Sequence, residues 1–222
     1  MCEPKSDWAF TDLVMNWPAQ DRWQRLWQSA GGSGGAGVWY EQLTRAYAEP
    51  QRHYHNQQHI AECLAEFDGA RHLARQPDAV ELALWFHDAV YDPKASDNEE
   101  QSATLAKRCL EGAGSSPLAA TVAELVMVTK THDAKAGPDA ALMVDVDLSI
   151  LGQSETRFAE YETQIRQEYG WVPKPIFNLK RKEIFRGFLQ RPHIYTTQFF
   201  AAKYEEQARH NLNQSIRTMK LW

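Results

Sequence analysis

The chain contains no apolar run near the roughly 18 residues that a membrane-spanning helix needs. It has no excess of positive charge either. Lys and Arg number 24 against 29 Asp and Glu, a net charge of -5, whereas a dedicated nucleic-acid binder is usually basic. Cysteine is scarce: Cys2, Cys63 and Cys109 are scattered and form no CxxC. That pattern argues against a disulfide framework and for a reducing compartment. The segment Met1 to Trp8 carries Glu3, Lys5 and Asp7 and has no signal-peptide core. Alternation of apolar and polar residues, the mark of a half-buried strand, is missing too. These absences leave a cytoplasmic, all-α protein as the expectation.

What is present fits that class. With 222 residues, 43% of them hydrophobic, the chain can bury one large core but not two. Helical apolar spacing predicts helices near 7–29, 37–49, 57–75, 77–91, 97–112, 117–131, 139–151, 154–169, 174–190 and 193–218. Ser96-Asp97-Asn98-Glu99 has capping-box spacing, and Gly112 suits the far end of that helix. Ser116-Pro117 reads as an N-cap followed by proline at the first helical position. Gly152 is expected to stop the helix carrying Asp145 and Asp147. The run Gly31-Gly32-Ser33-Gly34-Gly35 predicts a mobile loop after a first helix.

Three segments interrupt this apolar pattern with histidine and aspartate. They are Tyr54-His55-Asn56-Gln57-Gln58-His59, Trp85-Phe86-His87-Asp88 and Val144-Asp145-Val146-Asp147-Leu148-Ser149. An unpaired polar group in such surroundings costs roughly 2–7 kcal/mol, and a charge costs more. These residue types bind hard or borderline divalent metals, and one ion would satisfy them together. Core packing explains any single histidine equally well; the joint placement points to metal. His55 and His59, four apart, would share one helix face. Asp145 and Asp147 would point about 200° away from each other, so only one faces the site. Spacing leaves open which.

The order His, His-Asp, Asp on separate helices resembles the HD-domain superfamily of metal-dependent phosphohydrolases over roughly residues 52–152. The chain looks most like the small bacterial predicted HD phosphohydrolases. Tyr54-His55-Asn56 with His59, and Asp147-Leu148-Ser149, are similar to stretches of the class I cyclic nucleotide phosphodiesterases of the same superfamily. The resemblance implies a single-domain HD-type helical bundle over 1–222, with its metal-binding core at about 52–152 and C-terminal helices 154–222 packed on it. It implies His59, His87, Asp88 and Asp147 as ligands of one or two divalent ions (Mn, Mg, Fe, Co, Ni or Zn). Asp88 would also take part in catalysis by bridging two ions, and His55 would protonate the leaving group. Asp145 then has no counterpart. The chain is shorter than the phosphodiesterase catalytic domain and lacks its glutamine-and-aromatic purine clamp, so a cyclic nucleotide substrate does not follow.

The implied activity is hydrolysis of a small phosphorylated or nucleotide-like metabolite. It needs neutralised phosphoryl oxygens and an activated water, and a divalent metal supplies both. An imidazole, ordinarily titrating near about 6.5, suits proton donation to the leaving oxygen. The HD scaffold also hosts di-iron oxygenases with extra histidine ligands, and a metal-containing domain that only binds a ligand is a third class. Glu99 is a candidate catalytic carboxylate, or else the capping-box partner of Ser96. His132 is expected to line the pocket or hold a second metal, or else to sit on a helix dipole. In the basic segment from Lys174 to Arg191, one of Arg181, Arg186 and Arg191 is expected to hold a substrate phosphate; a solvated face is the alternative. Neither nucleic acid nor membrane is an expected partner, and a homo-oligomer is left open.

Overall fold

In a computed structural model, which describes residues 18–132 and 134–220, all regular structure among the described residues is helical. Pro77 opens α4 (Pro77–Phe86), in which every residue from Ala79 to Phe86 is buried. A helix that is apolar on all sides must be surrounded, and α4 is the axis of the bundle. Against it pack α1 (Gln20–Ser29), α3 (Gln57–Ala70), α5 (Asn98–Gly112), α6 (Ser116–Val128) and α7 (Pro138–Asp147). Helix α2 (Ala36–Ala46) packs on α1. Trp23 of α1 meets Trp85 edge-on at 5.1 Å between ring centroids. Glu81, the acidic group in the buried stretch of α4, is 4% exposed and accepts from Arg22 Nε at 2.7 Å.

Helices α3, α4 and α7 contact one another. They carry the three His/Asp segments, so bundle packing converges those segments. The chain continues through a 3-10 turn (Leu148–Gly152) into α8 (Glu155–Glu168), α9 (Lys174–Gln190) and α10 (Gln198–Thr218). Helix α10 lies on the 3-10 turn, where a Cβ at Gly152 would fall on Tyr204. Among the described residues, no helix is long and apolar enough to cross a membrane.

Several local expectations need correction. Helix α7 ends at Asp147, so Gly152 closes the 3-10 turn instead. The capping box is absent: Asp97 is the N-cap of α5 without a side-chain bond. Asn98 is bonded instead to the backbone of Asp92, at 3.0 and 2.9 Å. The N-cap of α6 is Ser115, again without a side-chain bond. The glycine run is a pinned turn. Ser33 N donates to Ala113 O at 2.8 Å and Trp27 Nε1 donates to Gly34 O at 2.9 Å. Gly31, Gly34 and Gly35 take positive φ of 81°, 71° and 71°, where a side chain would be strained. Residues 7–17 of the first expected helix, together with Cys2 and Asp133, lie outside the described residues.

Candidate metal centre

The Tyr-His-Asn triplet works through a helix start. Asn56 is the N-cap of α3, its Oδ1 accepting from Gln58 N at 2.9 Å and His59 N at 3.4 Å. That cap sets His59 in the first turn, facing α4 and α7. His55 therefore precedes the helix instead of sharing its face as expected. A turn of chain still leaves its ring 6.0 Å from that of His59.

His87 follows the last residue of α4. Its Nδ1 donates to Leu84 O at 3.0 Å; a carbonyl only accepts, so Nδ1 carries a proton and Nε2 is the nitrogen turned to the cluster. That Nε2 is 3.1 Å from His59 Nε2 and 3.1 Å from Asp88 Oδ2. Asp147 Oδ1 stands 3.4 Å from His59 Nε2 and 3.6 Å from His87 Nε2, and Asp88 Oδ2 is 3.5 Å from His59 Nε2. Donors bonded at about 2.1 Å to one tetrahedral ion stand roughly 3.4 Å apart. The observed separations fit a single cation. Burial opposes ionisation of Asp88 and Asp147, yet the neighbouring imidazoles hold both carboxyls well below the usual range. The Tyr54 ring lies 4.7 Å from that of His59 between centroids, and its buried hydroxyl has no hydrogen-bond partner among the described residues.

Asp145 is fully buried and faces away. Its carboxylate accepts from Thr196 N at 2.8 Å, Thr197 N at 2.7 Å and Thr197 Oγ1 at 2.6 Å. It anchors the start of α10, which explains an aspartate two residues before Asp147. Cys63, passed over in the sequence, joins His59, His87 and Asp147 in a buried set whose donor atoms all lie within 4.8 Å of one another. Its Sγ is 3.7 Å from Nδ1 and 3.8 Å from Nε2 of His59. Near-equal distances place the sulfur against the ring, not in line with the Nε2 lone pair.

Glu168 is the largest omission of the sequence reading. It ends α8, where a carboxylate faces the unfavourable end of the helix dipole, and it is 4% exposed. Its Oε1 accepts from the backbone N–H of His53, Tyr54 and His55 at 2.9, 2.7 and 3.0 Å. Its Oε2 accepts from His55 Nδ1 and from Tyr91 OH, each at 2.7 Å. The Nδ1 proton is thereby fixed and His55 Nε2 is left free. Tyr91 also stacks on His55 at 4.2 Å. Buried Arg52 ties the same region together, donating to the carbonyls of His55 at 3.1 Å and Ala89 at 3.1 Å, and also to Asp88 O.

The remaining candidates scatter. His132 Nε2 is 3.2 Å from Asp147 Oδ2, beside the centre. Glu99 sits half-buried on the first turn of α5, outside the buried donor set. Arg181 is buried and held by Glu162 Oε1 at 2.9 and 2.6 Å, stacked over Tyr161 and Phe185. Arg186 is exposed.

Desolvation raises the pKa of Glu168, but its bonds to His55 and to the backbone of His55 and Tyr54 outweigh this and bring it from 4.5 to about 2. A carboxylate depressed in the folded state adds stability above its unfolded pKa and loses it as pH falls towards the folded value. Glu168 should therefore contribute on the order of 3 kcal/mol at neutral pH, lost between about pH 4.5 and pH 2. The urea midpoint of Glu168→Gln should lie below that of the wild type at pH 7, with the gap narrowing as pH falls from about 4.5 towards 2. A gap that stays constant with pH would contradict this.

No protein-family model matches the chain, nor does any curated protein or solved structure. The fold and the site define its class: an all-helical domain with a buried His/His/Asp(/Cys) cluster able to chelate a metal ion.

Proposed function

We propose that this protein is a divalent-metal-dependent phosphohydrolase of HD type acting on a small phosphorylated or nucleotide-like metabolite. The observation that carries the reading is the convergence of His59 Nε2, His87 Nε2, Asp88 Oδ2 and Asp147 Oδ1 at 3.1–3.6 Å, with His55 oriented by Glu168 beside them. A divalent ion held there supplies Lewis-acid charge to phosphoryl oxygens and makes water a usable nucleophile near neutral pH. The chain supplies the rest. Glu168 holds His55 by its Nδ1, so that Nε2 is the nitrogen that can pass a proton to a leaving oxygen. Tyr91 and Tyr54 wall the ring in place, Tyr54 meeting it edge-on at 4.9 Å.

One observation favours a second reading, an oxygenase with two irons: His132 lies against the outer oxygen of Asp147. A domain that binds its ligand without turnover is the third. Phosphate release from a panel of phosphorylated metabolites, with manganese, magnesium, cobalt, iron, nickel or zinc, in air and under argon, separates them. Release that survives argon is expected. No release, with two tightly bound irons and oxygen consumption, would favour the oxygenase.

A further inference from the structure

We infer that Arg191 is a specificity residue that takes a second phosphate group of the substrate, so that the preferred class is a bisphosphorylated metabolite. This rests on the phosphohydrolase reading of the His59–His87–Asp88–Asp147 centre.

The other arginines that the fold buries or half-buries are answered by carboxylates or, for Arg166, by the three carbonyls of Tyr169, Gly170 and Val172. Arg22 has Asp68 and Glu81, Arg52 has Glu49, Arg157 has Glu62 and Arg181 has Glu162. Arg191 differs. It is half-buried at the end of α9 and stacked over the Phe188 ring at 4.7 Å. Among the described residues its side chain donates to one group, the His132 carbonyl, at 3.1 Å, and it has no carboxylate. A guanidinium carries five N–H donors in a rigid fork, and leaving most of them unanswered in a partly desolvated place is costly. The fork matches two phosphate oxygens.

Its position relative to the centre is set by His132. That residue is the single non-glycine with positive φ among the described residues, at 49°, a conformation uncommon for a residue with a side chain. The twist lets one residue reach both ways. Its carbonyl meets Arg191, while its Nε2 stands 3.2 Å from Asp147 Oδ2. The guanidinium is thus linked to the Asp147 carboxylate through one histidine and two hydrogen bonds. A second phosphate group, joined by a small spacer to one at the centre, is the ligand that such a link suits. Stacking on Phe188 and the bond to His132 preorganise the side chain, which reduces the entropy lost on binding.

The test is titration calorimetry on the metal-loaded full chain with glucose 6-phosphate, glucose 1,6-bisphosphate and inorganic phosphate. In the wild type the bisphosphate should bind more tightly than the monophosphate. Arg191→Ala should weaken the bisphosphate by roughly 10- to 100-fold, the usual effect of losing charge-assisted hydrogen bonds. Inorganic phosphate and the monophosphate should stay within a few-fold, with metal content unchanged. Arg191→Lys, which keeps the charge but loses the fork, should recover part of the difference. Equal weakening of all three probes, or loss of metal from both variants, would make Arg191 a prop for His132 and overturn the inference. Binding of both phosphates without a bisphosphate preference in the wild type overturns it alone, leaving the phosphohydrolase reading intact. A metal-loaded wild type that binds none of the probes brings down both.

Discussion

Replacing His55 with alanine should leave the metal in place and lower kcat by roughly 10²–10⁴-fold, the ordinary contribution of general acid catalysis. The motivation is geometric. His55 is joined through Nδ1 to Glu168 at 2.7 Å, and its ring lies 6.0 Å from that of His59. It is near the centre without being part of it. The loss should depend on the leaving group. A nitrophenyl ester needs little protonation and should suffer less than an alkyl phosphate, whose departing oxygen needs the proton. Equal losses on both would remove His55 from the acid role, and a fall in bound metal would make it a ligand.

The second large effect is expected at Asp88. Asp88→Ala should lose most of the bound metal, because Asp88 Oδ2 lies 3.1 Å from His87 Nε2 and 3.5 Å from His59 Nε2, on the shared face of the cluster. A ligand that binds only the folded state stabilises it by mass action, by about 4 kcal/mol at a thousandfold excess over Kd. For a chain of this size that corresponds to a drop in Tm on the order of 10 °C. Chelator supplies the control. It should lower the Tm of the wild type towards that of the variant and leave the variant's nearly unmoved. A variant that keeps full occupancy, or a wild type indifferent to chelator, would show that Asp88 serves packing alone.

Much of the fold could be read from local pattern. The apolar period located α3 to α10 because each buries a face or, like α4, every side. The residues that meet at the cluster were equally local: His59, His87, Asp88 and Asp147 stand out as polar breaks in apolar helices. What local pattern could not supply was partnership across the chain. Asp145 and Asp147 are equivalent by spacing until α10 arrives to claim Asp145 through Thr196 and Thr197, 51 and 52 residues away. Glu168 is 113 residues from His55 and sits in an ordinary helix end, with no spacing to announce it. Arg52 lies two residues before Tyr54, yet its role depends on the carbonyls of Asp88 and Ala89, brought near by packing. The expected capping box at Ser96 failed because Asn98 found the backbone of Asp92, a competing local bond that the S-x-x-E pattern ignores. The i, i+4 relation of His55 and His59 failed for a similar reason. Asn56 is a strong N-cap, and helix α3 begins after His55.

The central claim is that Asp147, together with His59, His87 and Asp88, cages one divalent ion, while Asp145 serves the start of α10. Metal content per chain, measured by elemental analysis on protein purified without chelator, tests it most directly in the wild type, Asp145→Asn and Asp147→Asn. The wild type should hold at least one equivalent, Asp145→Asn should keep near-wild-type content with lowered Tm, and Asp147→Asn should lose most of its metal. Full occupancy in Asp147→Asn, or greater loss from Asp145→Asn, would contradict it.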